Sequence, residues 1–334
     1  MPPKPRSKSQ AKSSSLYAAI EYCDAILKPV GTIYETHVQL DNNWAMAFNG
    51  VLSCGMKIDE ELIAYPQSAL LLSALSKCNE TLSITELDNR LSIKSNKFKA
   101  FIPCINKDLA QEIYPDPPIA TVNDNFKRGL EIVGILAAEG AQSVVTASIL
   151  MNGQSLIATD RKVIMEYWHS NDLPPNITLP KAFVAPLVKC KKPLKAFGYS
   201  SSSVTFYFED DSWIKSQTYA ETWPDVSDIL DRPSNMWSVP AGFFEALKAV
   251  GSFSDDGQIY FEGGCLKSHE GDQGASYEVS GVPSGLVYPA KHLALLSGLA
   301  TKIDFVAPGV HDNSYCLMFV GDAVRGVISG RMKE

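Results

Sequence analysis

A run of three carboxylates, Glu209-Asp210-Asp211, could hold a metal ion or divide acid and base roles in a hydrolysis. It lies between two alternating segments, Ser203–Phe208 and Trp213–Tyr219, where a solvated hairpin turn is the plainer reading. Asp160 could serve as a lone acid, yet its place between two apolar runs suits a turn residue whose side chain bonds nearby backbone. Trp44, Trp213, Trp223 and Trp237 could stack on bases; their strand and linker positions predict core packing instead. No phosphate loop, dinucleotide fingerprint, zinc-protease helix or nucleophile elbow is present, so neither a cofactor nor a metal is expected. The remaining chemistry belongs to the cations, five of which fall between Lys181 and Lys195. Clustered lysines bind phosphate without reading bases.

The elements that must position these groups recur three times. Ile63-Ala-Tyr-Pro66, Ile177-Thr-Leu-Pro180 and Leu286-Val-Tyr-Pro289 each lead an amphipathic run followed by alternating strands, with the prolines 114 and 109 residues apart. Further helical runs begin near Leu16, Phe126 and Pro240, so each unit reads as helix, strands, helix, strands. A repeat this long is a domain. The expected division is a basic tail over 1–15, then domains over 16–120, 121–231 and 232–334, in an α+β class with two helices on an antiparallel sheet in each. Helices on one side of a continuous sheet would line the inside of a curve, and closing the curve into a ring would remove its sheet edges.

The net charge is −7, but it is unevenly placed: the six helical segments together carry +6, leaving −13 elsewhere. Lys77, Lys127, Arg128, Lys181, Lys189, Lys191, Lys192, Lys248 and Lys291 would then gather on the inner surface as candidate DNA contacts. Met1–Ser15 carries no apolar core and reads as a disordered basic tail, not a secretory signal. Seven scattered cysteines suit reduced thiols in a cytoplasmic protein, where the Asn79-Glu-Thr81 and Asn176-Ile-Thr178 glycosylation matches are chance. No apolar stretch is long enough to span a bilayer, and no membrane role is expected.

Three segments carry a family resemblance. Leu156-Ile-Ala-Thr-Asp-Arg-Lys-Val163, Ile177-Thr-Leu-Pro-Lys181 and Thr222-Trp-Pro-Asp-Val-Ser-Asp-Ile-Leu230 resemble, in order and spacing, motifs of the bacterial DNA polymerase III beta sliding clamps. Arg161-Lys162-Val163 and Ser227-Asp228 depart from the family pattern, which suits a divergent, phage-type member. The resemblance implies a non-catalytic processivity factor that encircles double-stranded DNA and tethers a polymerase, loaded by a separate ATP-driven machine. It implies a pocket for polymerase and clamp-loader peptide tails lined by Val144, Thr159, Arg161, Val163, Pro224, Ile229, Ile328 and Met332. It further implies a head-to-tail homodimer involving Phe98, Ala100, Val250 and Phe253. A clamp-like hub that binds only proteins, or a hydrolase using Asp210 and Asp211, are the alternatives.

Overall fold

A computed structural model describes residues 15–78, 82–109, 111–271, 273–309 and 315–332. Residues 1–14 of the expected tail and the Asn79-Glu-Thr81 match lie outside them. The helices are α1 (Ser15–Asp24), α2 (Ile33–Thr36), α3 (Ser68–Leu75), α4 (Asn125–Val133), α5 (Val144–Ala147), α6 (Lys181–Lys189), α7 (Ser227–Leu230), α8 (Phe243–Gly251) and α9 (Ala290–Ala294). Every strand pair among the described residues is antiparallel. No described helix is long and apolar enough to cross a membrane, and all seven cysteines are free thiols.

The chain forms two compact units. The first comprises Met1–Lys127, Asn171–Leu173 and Ala182–Ala220. Its main sheet has seven strands in the order Gln39–Asp41, Trp44–Phe48, Leu52–Lys57, Trp213–Gln217, Ser203–Phe208, Leu194–Tyr199 and Pro118–Thr121. A separate three-stranded sheet joins Ser83–Leu87, Arg90–Ser95 and Phe98–Pro103. Helix α1 lies against α3 and the first sheet, burying Leu16, Ala19, Ile20 and Cys23, residues at helical spacing. Phe126, Phe183, Phe197 and Phe206 form an aromatic core, with centroids 4.7–5.4 Å apart.

The second unit comprises Arg128–Ser170, Pro174–Lys181 and Glu221–Glu334. Its eight-stranded sheet runs Ile177–Pro180, Ser148–Asn152, Ser155–Thr159, Val163–Trp168, Val324–Ser329, Tyr315–Val320, Lys302–Pro308 and Trp237–Ser238. A five-stranded sheet, Ser276–Glu278, Cys265–Lys267, Gln258–Glu262, Leu286–Pro289 and Arg331–Met332, carries α8 and α9. Phe243, Phe261, Phe305 and Tyr288 pack beneath them.

The sequence expectations differ from the structure at definite places. Val144-Val145-Thr146, strand-favouring by residue type, forms the short helix α5, and strand begins only at Ser148. The proline-led stubs of the second and third repeats are themselves strands, and the helix after Pro289 stops at Ala294. The hairpin turns Asn42-Asn43 and Gly263-Gly264 have both residues at positive φ; at Asn49-Gly50 only Gly50 has it, while the Asn49 side chain accepts from Val51 and Leu52 N–H groups. Trp213 and Trp223 are buried as expected, but Trp44 is half-buried and Trp237, on a two-residue edge strand, is 74% exposed.

One buried charge pins the connector between the first two repeats. Asp116 is buried, and its carboxylate accepts from Ser203 Oγ (3.0 Å), Thr205 Oγ1 (2.9 Å) and Lys215 Nζ (3.1 Å). Removing it strands those donors and a partly buried ammonium. Asp116→Ala is expected to lower the unfolding free energy by about 3 kcal/mol, read as a lower denaturant midpoint in urea titration. An unchanged midpoint would contradict this role.

Candidate functional site

The turn joining Ser155–Thr159 to Val163–Trp168 is built by its own side chains. Thr159 Oγ1 accepts from Arg161 N (3.0 Å) and donates to the Val163 carbonyl (2.6 Å). Asp160 Oδ1 accepts from Lys162 N (2.9 Å) and Val163 N (2.8 Å), which lets Arg161 sit at φ +75°. Asp160 Oδ2 meets Nε2 of the buried His292, on α9, at 2.8 Å. Burial raises the Asp160 pKa, but the two backbone N–H groups and His292 outweigh it and the net direction is downward. Asp160 is thus a structural acid tying a turn to a helix.

Beside this turn an apolar cluster reaches the surface. Leu150, Ile157, Ile164, Trp223, Leu230, Ala307, Cys316, Met318 and Val327 are buried together, with Val145, Val226, Ile229 and Met236 partly buried at its rim. Trp223 Nε1 donates to Ser148 Oγ (3.0 Å), so its indole is satisfied. Arg325 holds the adjacent connector down, donating to the buried Glu166 (2.7 Å) and to Asp231 (2.5 Å).

The expected pocket residues divide across the sheet. Thr159 pairs with Ile164, Ile164 with Val327 and Val327 with Met318, so these four share a face. Val163 pairs with Ile328 and must point the opposite way; both are fully buried. Val163 and Ile328 therefore lie on the face opposite the cluster, while their neighbours Ile164 and Val327 belong to it, because a one-residue step in a strand changes face. Ile229 is at the rim of the cluster, Pro224 and Arg161 are exposed and Val144 is half-buried at the start of α5. Met332 is placed only by its backbone, opposite Leu286.

The nine expected cations also divide. Lys77, Arg128, Lys189, Lys191, Lys248 and Lys291 are exposed. Three others face inward. Lys127 donates to the Cys190 and Lys192 carbonyls and pairs with Asp124 (3.2 Å). Lys181 donates to the Gly134 carbonyl, and burial lowers its pKa against a partial opposing pull from Glu139. Lys192 pairs with Asp210 (2.7 Å), donates to Ser212 Oγ and lies 4.3 Å from the Tyr22 ring centroid. Lys248 and Lys291 line one groove of about 430 Å³ between α8 and α9, with Phe244, Leu247, Ala290 and Ala294. The carboxylates of the 209–211 run form the expected turn, but Asp211 pairs with Lys57 and Lys195 and is not idle.

Of the expected interface residues, Phe98 and Ala100 are half-buried on the edge strand of the three-stranded sheet, and Phe253 is exposed just past α8. Val250 is 1% exposed, turned into the core by helical periodicity, and cannot present its side chain to a partner. Sequence reasoning passed over Phe101, which is 46% exposed with Arg90 and Lys99 stacked on its ring at 4.6 and 4.4 Å.

Asp160 gives a measurable consequence. A carboxylate whose native pKa is depressed contributes stability above its ordinary value of 3.8, lost as pH falls through the native value. The stability difference between the wild type and Asp160→Asn, measured by urea denaturation, is expected to shrink as pH falls below about 4. A difference that grows in that range would contradict the assignment.

Against solved structures, the fold is that of bacterial sliding clamps. The DNA polymerase III subunit beta of Pseudomonas aeruginosa superposes with a TM-score of 0.78 over 98% of this chain and 99% of its own, at 10% identity. The Helicobacter pylori beta clamp bound to a DNA ligase peptide gives 0.76 over 97% and 98%, at 16% identity. The Caulobacter crescentus polymerase III beta gives 0.77 over 97% and 98%, at 14% identity. No protein-family model matches the sequence, and no curated protein matches it.

Proposed function

We propose that this chain is a DNA sliding clamp: a non-catalytic cytoplasmic ring, built from two copies joined head to tail, that encircles double-stranded DNA and tethers a polymerase. The observation that carries the reading is a clamp fold shared along nearly the whole chain at 10–16% identity, with neither chain leaving a large part unmatched. Three repeats, over 16–120, 121–231 and 232–334, would then supply six domains to the ring. The exposed Lys77, Arg128, Lys189, Lys191, Lys248 and Lys291 are the DNA contacts of choice, since their ammonium and guanidinium groups are not buried against carbonyls. Point-charge contacts to phosphate suit sliding because no base is read.

The surface around Thr159, Ile164, Pro224, Ile229 and Val327 is the proposed seat for polymerase and clamp-loader peptide tails, and the Helicobacter clamp's bound ligase peptide is the precedent. Subunit closure would use the open edge strand Phe98–Pro103 in one copy and the third repeat of the other, near the edge strand Ser276–Glu278 and Phe253. The hydrolase alternative gains nothing from Asp210 and Asp211, whose carboxylates are paired with lysines.

Three outcomes are expected. Sedimentation equilibrium should give twice the chain mass, and a monomer at every concentration would contradict the ring. Ile229→Asp should weaken a clamp-binding peptide about tenfold or more by isothermal titration, since burying an unpaired carboxylate costs more than ~1.4 kcal/mol; unchanged binding would place the peptide elsewhere. Lys248→Glu with Lys291→Glu should shorten the lifetime on DNA and flatten its salt dependence, and an unaltered salt slope would remove this groove from the DNA path.

A further inference from the structure

The first unit has a second groove, of about 590 Å³, lined by Trp44, Tyr65 and Tyr114 and by Asp41, Asp108 and Glu112. Its outer wall includes Lys107, Asp108 and residues 111–115, held at two points: Gln39 Nε2 donates to the Gln111 carbonyl (2.7 Å) and Lys215 Nζ to the Tyr114 carbonyl (3.0 Å). The Tyr114 ring is 67% exposed, and the Asp108 and Glu112 side chains face solvent. Lys107 is the sole cation among the lining residues against three carboxylates, and Lys57, 5.7 Å from the Trp44 ring centroid, is paired with Asp211 (3.1 Å). Fixed walls, aromatic rings and carboxylates suit a basic, proline-rich strand, because a polyproline helix loses little entropy on docking between rings.

This chain carries such a segment, and it leaves the fold beside the groove. Met1-Pro-Pro-Lys-Pro-Arg-Ser-Lys-Ser-Gln-Ala-Lys-Ser-Ser14 has three prolines, four cations and no acid. Ser15, the first described residue, accepts a bond from Asp59 N (2.9 Å) and donates to Glu60 (3.3 Å). One residue back, Ile58 N donates to the Asn43 carbonyl (2.8 Å), and Asn43 lies between Asn42 and Trp44 of the groove wall. Helix α1 covers the sheet face of Ala47 and Cys54, and the groove lies on the face of Met46 and Trp213. Between exit and groove the segment must therefore round the Asn42-Asn43 turn, against a reach of about 43 Å for fourteen residues in polyproline form. Asp59, Glu60 and Glu61 make the path between them acidic.

We propose that residues 1–14 dock in cis in this groove, their prolines against Trp44 and Tyr114 and their cations toward Asp108, Glu112 and Asp41. Held there, the basic arm is withheld from phosphate. The test is limited trypsin digestion of the full chain without DNA, following cleavage after Arg6 and Lys8 by mass spectrometry against a free peptide of residues 1–14. With an effective concentration near 1 mM and weak intrinsic affinity, cleavage should be about tenfold slower in the protein than in the peptide. Asp108→Lys with Glu112→Lys, and separately Tyr114→Ala, should restore the peptide's rate; all three side chains are exposed, and an unchanged melting temperature verifies the fold. Cleavage at the free-peptide rate in the wild type would overturn the proposal. So would protection that needs added DNA, which would mark a DNA arm, protection that rises with protein concentration, which would mark a second copy, or protection that survives both variants.

Discussion

Two strand pairs join segments that are far apart in the chain, one inside each compact unit. In the first unit Leu52–Lys57 pairs with Trp213–Gln217; in the second Val163–Trp168 pairs with Val324–Ser329. Both seams place a glycine where no side chain fits. A Cβ on Gly55 would lie 2.5 Å from the Trp213 ring, and one on Gly326 would lie 2.4 Å from the Ile164 carbonyl. Backbone and side chains at these seams are in direct contact, so the sheet continues without a break. Remove either seam and its sheet divides in two, with new strand edges open.

Of the expected cations, Arg128, Lys189, Lys248 and Lys291 are exposed on helices, and Lys77 and Lys191 are exposed just past helix ends. Charge is consumed locally wherever the fold needs it: Lys127, Lys181 and Lys192 secure helix ends and a turn, while Arg325 ties a connector to Glu166 and Asp231. Of the nine expected cations, six remain exposed, and among these Lys248 and Lys291 share a groove.

Much of this was legible in the residues, and the failures have physical reasons. The threefold proline-led pattern and the alternating strands were readable because half-buried strands print their period in the sequence. The facing of Val163 and Ile328 was not, because Val163–Tyr167 is buried on both faces and so has no alternation to read. Val144-Val145-Thr146 favours a strand by propensity, yet tertiary context makes it a helical turn. Partnered lysines look like free ones in a sequence, since the carbonyls that hold Lys127 come from residues 63 and 65 positions away. Trp237 shows the converse: a large aromatic does not by its type declare itself buried.

The central claim is a topological one, that the chain holds DNA by surrounding it. The most direct measurement loads fluorescent protein onto a nicked circular duplex, removes free protein, and follows release before and after a single restriction cut. Encirclement predicts long retention on the circle at moderate salt and rapid loss once ends are made, because sliding off then needs no ring opening. Equal release from circular and linear DNA would contradict it and leave only a charged surface binding phosphate.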